Sequence, residues 1–197
     1  MKYQIIGLVM MATLLSNCSK KPSTSGEIEA FIDDPRNGLI QSRTVDDVLA
    51  EVKFQPSSLL ATRDLQQKET TAYQFDSVCT KYRSHVSFLL TLSKNNEELI
   101  TQNVSFSSYS KLIQVLSFKM SQYVSLTTSM GDTLRPELCL FDRTYRLDDK
   151  SRLLVVFPKK AQGDKLCLTI KEFGLDCGDM HFYFDANAIR QIPDINL

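Results

Sequence analysis

Val86-Ser87-Phe88-Leu89-Leu90-Thr91-Leu92-Ser93 is the stretch that decides the fold. Its strongly apolar residues recur at every second position, which is the period of a β-strand with one face in a core. Lys94-Asn95-Asn96-Glu97 follows directly and predicts a hairpin turn, because Asn tolerates positive φ. The stretch therefore predicts a buried strand paired in an antiparallel sheet.

Segments on both sides of this stretch also predict strands. Before it they cover 39–45 and 48–54, and after it 123–127, 138–145, 152–157, 166–173 and 181–185. A further edge segment could span 189–197, because Pro193 is tolerated in a sheet only at an edge. Asn37-Gly38 and Gln162-Gly163-Asp164 predict turns. Short turns between strands favour antiparallel pairing over βαβ units.

The strongest helical pattern covers residues 108–122, where Ser107 or Ser108 could cap the first turn. Its apolar stripe has helical spacing and consists of Tyr109, Leu112, Ile113, Leu116, Met120 and Tyr123. Two shorter helices are predicted, from Ser57 or Ser58 to Leu65 and over 75–82. The predicted fold class is α+β: an antiparallel sheet or β-sandwich with one main amphipathic helix and one or two short helices packed on it.

The first 17 residues have the organisation of an export signal. Lys2 provides a positive start, and an apolar run over 5–15 follows. A helix that spans a bilayer needs about 20 apolar residues. This run is shorter and matches the apolar region of a secretory signal peptide. We therefore predict that residues 1–17 are a signal peptide and take no part in the fold.

Leu15, Ser16 and Cys18 resemble the lipobox of bacterial lipoproteins, although Asn17 stands where Gly, Ala or Ser is usual. The resemblance implies that the Cys18 thiol receives a diacylglycerol, that cleavage occurs before Cys18, and that fatty acids such as palmitate anchor the chain. Several acyl chains anchor firmly where one is marginal. Asn37-Gly38-Leu39-Ile40 and Ile192-Pro193-Asp194-Ile195 add a similarity to small uncharacterised lipoproteins of Bacteroidota.

The resemblance also implies a location in the cell envelope. Ser19 is not the Asp that retains enteric lipoproteins at the inner membrane, so the expected location is the outer membrane. Lys20 and Lys21 differ from the acidic residues of surface-exported lipoproteins, which favours the periplasmic face. Residues 18–26 contain almost no apolar residue and predict a flexible tether. Residues 27–197 are then expected to form a single α+β domain.

Composition excludes several classes of function. The chain has 23 basic and 23 acidic residues, and the basic ones are dispersed, whereas nucleic-acid binding normally needs a basic stripe. Neither a Gly-x-x-x-x-Gly-Lys-Ser/Thr loop nor a Gly-x-Gly-x-x-Gly run occurs, which argues against a nucleotide partner. We expect no cofactor.

Five cysteines become four once Cys18 is lipidated. Cys79 shares a helical face with Phe75 and predicts a buried free thiol. A disulfide between two of Cys139, Cys167 and Cys177 is one interpretation. The other is that all of them are free thiols that pack as small apolar residues.

Histidine is scarce, which limits the candidates for metal binding or acid–base chemistry. Cys177 and His181 lie four residues apart and could supply half of a zinc site, but no second pair with matching spacing exists. The alternative is a turn that leads into a strand. Cys79 and His85 could be imagined as nucleophile and base, although an apolar helical face disfavours a reactive thiol. We therefore predict neither catalytic residues nor a metal site.

The sequence leaves three hypotheses for function. The favoured one is a membrane-anchored envelope protein with an interaction or structural role and an envelope protein as partner. The second is a module that binds a small ligand or a glycan, although Trp, a frequent glycan platform, is absent. The third is an enzyme with a site near His181. An aromatic-lined pocket, an apolar patch, or a cleft where His181 meets other polar groups would separate them.

Overall fold

The computed structural model describes residues 24–65, 72–102, 105–142, 149–159, 164–193 and 195. The predicted signal peptide, Cys18 and most of the predicted tether lie outside these residues, as does most of the turn predicted at 162–164.

Two antiparallel sheets form the body of the protein, which confirms the α+β class with antiparallel strands. The larger sheet has the strand order β1-β2-β3-β8-β7, with the short β4 also on β3, and the smaller has the order β10-β9-β5-β6. The strands are β1 Ile40–Val45, β2 Val48–Gln55, β3 His85–Lys94, β4 Glu97–Glu98, β5 Val124–Thr128, β6 Thr133–Leu134, β7 Leu138–Asp142, β8 Ser151–Pro158, β9 Lys165–Ile170 and β10 Met180–Asp185.

The strand that decides the fold lies in the middle of the larger sheet. β3 pairs with β2 on one side and with β8 on the other. Its residues Phe88, Leu90 and Leu92 are fully buried, as the alternation predicted. Asn95 and Asn96 both adopt positive φ in the turn that follows, which is the geometry of a tight two-residue hairpin.

The apolar faces of the two sheets share one core, which corresponds to the β-sandwich alternative of the prediction. Phe88 of β3 contacts Phe184 of β10, with ring centroids 4.9 Å apart. Both belong to one cluster of buried residues that draws on both sheets and on the helices. The Gln41 side chain of β1 also pairs with the backbone of Tyr183, whose N–H donates to Gln41 Oε1 at 3.0 Å.

Six α-helices surround the sheets within the described residues. They are α1 Ser25–Asp33, α2 Ser57–Leu65, α3 Ala72–Arg83, α4 Phe106–Gln114, α5 Met120–Tyr123 and α6 Ala186–Arg190. α2 and α3 confirm the two short predicted helices. Cys79 of α3 is 1 % exposed and packs with Phe75 and Ala61, as the helical spacing predicted.

α1 corrects the predicted length of the tether. Thr24 caps this helix by a capping box, in which its hydroxyl accepts from Glu27 N–H and the Glu27 carboxylate accepts from Thr24 N–H. The helix buries Ile28 and Ile32 completely. The prediction of a flexible tether through Gly26 was therefore wrong for its last two residues, which lie in the first turn of α1.

The main predicted helix exists and is longer than expected. α4 runs directly into a π-helical turn, Val115–Lys119, and then into α5; we call this unit, residues 106–123, the long helix. Ser105, and not Ser107 or Ser108, is its N-cap and accepts from Ser108 N–H. Leu112, Leu116 and Met120 are buried as predicted.

The prediction of a C-terminal edge segment over 189–197 was wrong for its first residues, which are helical. Asp185 ends β10 and caps α6 by accepting from Asn187 N–H, so that Ile189 lies in a helix. Ile192 and Ile195 pack against the core from partly buried positions. Within the part of the chain that the structure describes, no helix combines the length and apolar composition that crossing a bilayer requires.

Candidate functional site

The predicted candidate His181 faces away from the core on β10. Its Nδ1 lies 2.9 Å from the hydroxyl of Thr169, its cross-strand partner on β9. The described residues contain no group of three His, Cys, Asp or Glu side chains that could hold a metal ion. The described residues around His181 therefore do not supply a set of metal ligands.

Cys177, the other half of the predicted pair, lies in a loop wound around one carboxylate. The loop connects β9 to β10, and Glu172 accepts from five successive backbone N–H groups at 2.5 to 3.2 Å, those of Gly174, Leu175, Asp176, Cys177 and Gly178. Asp179 fixes the other end by accepting from Glu172 N–H. We call residues 172–179 the carboxylate loop.

The electrostatics of the carboxylate loop make Cys177 a poor nucleophile. Partial burial by itself would raise the pKa of Glu172, but the N–H groups outweigh it and lower this pKa to about 2. Burial, and then the negative charge of Glu172, raise the pKa of Cys177 to about 11. A thiol with so high a pKa is almost entirely protonated at neutral pH and unreactive.

The remaining cysteines are free thiols as well. The structure shows no disulfide among Cys79, Cys139, Cys167 and Cys177. Of the two interpretations of the sequence, a disulfide or free thiols, it therefore agrees with the free thiols. Burial raises the pKa of Cys139 to about 11 and also raises the pKa of Cys79. The raised pKa of Cys79 disfavours the thiolate form that a nucleophile paired with His85 would need. The lipidation candidate Cys18 lies outside the described residues.

His85 belongs to a small polar cluster at the start of β3. Its Nε2 lies 3.0 Å from Glu137 Oε2, and its Nδ1 lies 2.8 Å from Ser84 Oγ. The same serine hydroxyl donates to the Lys81 carbonyl at 2.8 Å. The cluster connects α3 and β3 to Glu137, the residue before β7. Because the Ser84 hydroxyl already donates to a backbone carbonyl, the cluster suits a structural role.

A pocket of about 420 Å³ lies beside the long helix. Three lysines line it: Lys94 from the end of β3, and Lys111 and Lys119 from the long helix. We call it the basic pocket. Its volume lies within the range of about 300 to 1,000 Å³ that small-ligand sites occupy.

The basic pocket combines positive charge with an apolar floor. The floor contains Leu99, Leu112, Val115, Phe173 and Leu175. Lys94 also reaches Asp47 at 3.6 Å, and Lys119 donates to the Gln114 amide at 3.4 Å. Ammonium groups over apolar side chains suit a ligand with a negatively charged end and an apolar body.

Two local structures position the walls of the basic pocket. The π-helical turn widens the long helix between Val115 and Lys119, and such turns occur frequently at functional sites. The carboxylate loop supplies Phe173, Gly174 and Leu175 on the facing wall. Because Glu172 occupies the backbone N–H groups of that loop, the lysines are the main cationic groups left for a ligand.

Sequence reasoning missed this pocket because it treated the basic residues as dispersed. The hairpin after β3 and the long helix bring together three lysines that are distant in the sequence. One signal was available: the sequence contains no acidic residue between Glu98 and Asp132. Within that interval Lys111 and Lys119 are eight residues apart, which places them about two turns apart on one side of a helix.

A second surface lies on the outer face of the larger sheet. Leu138 and Leu140 of the edge strand β7 are 49 % and 57 % exposed. Beside them a groove of about 580 Å³ runs between β7 and α2, with Leu89 and Leu154 in its floor. Exposed leucines on an edge strand are typical of contact with another protein. We call this surface the leucine groove.

Comparisons with known proteins do not identify a function for the basic pocket. No family model and no curated protein matches the chain. A crystal structure of a DUF4426 family protein from Pseudomonas aeruginosa aligns with 13 % identity over 75 % of this chain and 92 % of that one, with a TM-score of 0.36. A protein of unknown function from Burkholderia pseudomallei aligns with 9 % identity over 87 % and 94 %, with a TM-score of 0.38. Similarities this weak carry no functional argument.

Proposed function

We propose that the protein is a lipid-anchored component of the cell envelope, attached through Cys18 to the outer membrane on its periplasmic face, and that it acts by binding. The specific function we infer is the binding of a small anionic ligand with an apolar body in the basic pocket. The proposal assigns no reaction to the protein and no cofactor.

The observation that carries this proposal is that Lys94, Lys111 and Lys119 line one pocket together with apolar side chains. Charge-assisted hydrogen bonds to an anion are about twice as strong as neutral ones. The apolar floor adds about 25 cal/mol for each Å² of ligand surface that it removes from water. The pocket therefore stabilises both the charged and the apolar part of an amphiphilic anion. A neutral ligand would lack the charge-assisted contact, and a fully hydrophilic ligand would lack the apolar one.

The ligand class is tested by competition between matched probes. 1-Anilinonaphthalene-8-sulfonate, which has a sulfonate on an aromatic body, should bind saturably to the purified protein. Octanoate should displace it at a concentration at least about tenfold lower than octanol does, because two lysine contacts of about 1 kcal/mol each favour the carboxylate. Equal displacement by octanoate and octanol would show that the pocket does not recognise the charge.

The anchor is tested separately by palmitate labelling and cell fractionation. Wild-type protein should incorporate labelled palmitate and partition with the membrane fraction, and Cys18→Ala should lose the label, because only a thiol can accept the diacylglycerol. Ser16→Ala is a matched control, since it changes the same segment but keeps the acceptor. Palmitate incorporation into Cys18→Ala at the wild-type level would refute the anchoring part of the proposal and leave the ligand part standing.

A second candidate function is contact with an envelope protein through the leucine groove. The observation that favours it is the exposure of Leu138 and Leu140 side by side on an edge strand. In-cell crosslinking from the anchored protein should capture a partner, and Leu140→Asp should abolish that crosslink. Retention of the same crosslink in Leu140→Asp would exclude this surface as the contact.

A further inference from the structure

The long helix exposes two phenylalanines that its packing does not use. Phe106 is 85 % exposed and Phe118 is 80 % exposed, whereas Leu112, Leu116 and Met120 face the core. Single exposed apolar residues are ordinary on protein surfaces. Phe106 and Phe118 are the apolar side chains that a contact surface on this helix would use.

The π-helical turn brings these two rings toward one side of the helix. In a regular α-helix twelve residues make about three and a third turns, which would leave Phe106 and Phe118 about 120° apart. The i→i+5 turn at Val115–Lys119 takes more residues per turn and so rotates Phe118 back toward Phe106. The rings are then separated mainly along the axis, by about 18 Å.

The helix that carries the two rings also carries basic residues. Lys111 and Lys119 are exposed on the same helix, and Lys94 is close enough to line a pocket with them. No acidic residue occurs in the sequence from Leu99 to Gly131, although the whole chain has a net charge of zero. The surface is therefore complementary to one that is negatively charged and has an apolar layer beneath the charges.

We propose that the long helix docks on an anionic phospholipid bilayer, with Phe106 and Phe118 among the lipid headgroups and Lys111 and Lys119 against the lipid phosphates. Aromatic rings are favoured at the level of the headgroups, and each lysine near an anionic membrane surface adds electrostatic attraction. A convex helix with protruding rings suits a deformable bilayer, because no cavity in the occupant is needed. Docking would place the basic pocket at the membrane surface.

This inference rests on the proposed envelope location only for the presence of a membrane. It does not depend on which ligand the basic pocket binds. The displacement of the sulfonate probe by octanoate is measured without vesicles, so that failure of membrane docking and failure of ligand binding are separate results.

A tryptophan reporter tests the docking in the full chain, because the protein contains no Trp of its own. Phe118→Trp places the reporter on the long helix. Tyr183→Trp is the matched control, since Tyr183 is also an exposed aromatic, at 58 %, and lies on β10 of the smaller sheet. Any attachment through the N-terminus brings both reporters to the vesicle, and the difference between them isolates the helix.

The measurement is quenching of Trp emission by brominated acyl chains in vesicles of phosphatidylcholine and phosphatidylglycerol. We expect at least twofold stronger quenching for Phe118→Trp than for Tyr183→Trp. The difference should disappear in vesicles of phosphatidylcholine alone, and also when Lys111→Glu and Lys119→Glu are added. Equal quenching of both reporters, or none at either position, would overturn the proposal. Unchanged far-UV circular dichroism verifies that these variants keep the fold.

Discussion

Glu172 is the residue on which the local structure of the candidate site depends most. Its carboxylate accepts from five backbone N–H groups and so holds the carboxylate loop in one conformation. Gly174 and Gly178 adopt φ of +105° and +66° in this loop, a region that favours glycine. Phe173 and Leu175 of the same loop are buried and line the basic pocket. The pocket wall therefore depends on one charged group.

Acid should lower the stability that the carboxylate loop contributes, as the pH falls through 4.5 toward 2. The pKa of Glu172 is lowered from 4.5 to about 2 in the folded protein. A depressed pKa gives stability that is fully present above the unfolded-state value and lost as the pH falls through 4.5 toward 2. Urea unfolding as a function of pH should show this loss in the wild type and a smaller one in Glu172→Gln.

Glu172→Gln should also lower stability at neutral pH, by about 1.5–3 kcal/mol, because an amide presents one acceptor oxygen and a donor where the loop needs two acceptors. Asp132→Asn, which changes an exposed acid of another turn, is the control and should be close to neutral. A wild-type pH profile that is identical to that of Glu172→Gln would refute the role assigned to the Glu172 carboxylate.

Among the larger elements, the long helix connects the fold to the proposed function. One face, with Leu112, Leu116 and Met120, enters the core, and another carries Lys111 and Lys119 to the basic pocket. Because core packing fixes the rotation of the helix about its axis, it also fixes where the lysines point. Substitutions on the core face should therefore lower the free energy of unfolding, whereas substitutions of the lysines should weaken ligand binding.

Leu116→Ala tests the core face of this helix. Leu116 is completely buried, and such truncations cost about 2–5 kcal/mol from lost burial and the cavity that remains. Gln114→Ala, two residues earlier and exposed, should change the free energy of unfolding by no more than about 0.5 kcal/mol. Similar losses in the two variants, measured by urea unfolding, would contradict the orientation of the helix.

The elements that could be predicted from the sequence are those whose pattern is local. β3 alternates so regularly that its predicted bounds are within a residue of the observed ones. α1 was missed because its pattern is short: two buried isoleucines follow a polar stretch that also reads as a tether. The basic pocket could not be predicted, since the proximity of Lys94 to Lys111 depends on how the helix packs beside the hairpin.

For the whole molecule, the proposed export signal would deliver a folded body that has a pocket lined by lysines. The chain is neutral overall, yet the sequence from Leu99 to Gly131 has no acidic residue and three lysines line the basic pocket. That asymmetry would draw an anionic ligand or an anionic membrane to one side of the molecule, because local charge rather than net charge sets the nearby potential.

The central claim is that the basic pocket binds an amphiphilic anion, and calorimetric titration of octanoate tests it most directly. The account predicts that Lys111→Ala/Lys119→Ala weakens binding at least about tenfold, because two contacts of about 1 kcal/mol each are lost. The control Lys81→Ala/Lys165→Ala removes two exposed lysines outside the pocket and should bind like the wild type. Equal affinity in all three proteins, or no binding to the wild type, would contradict the claim.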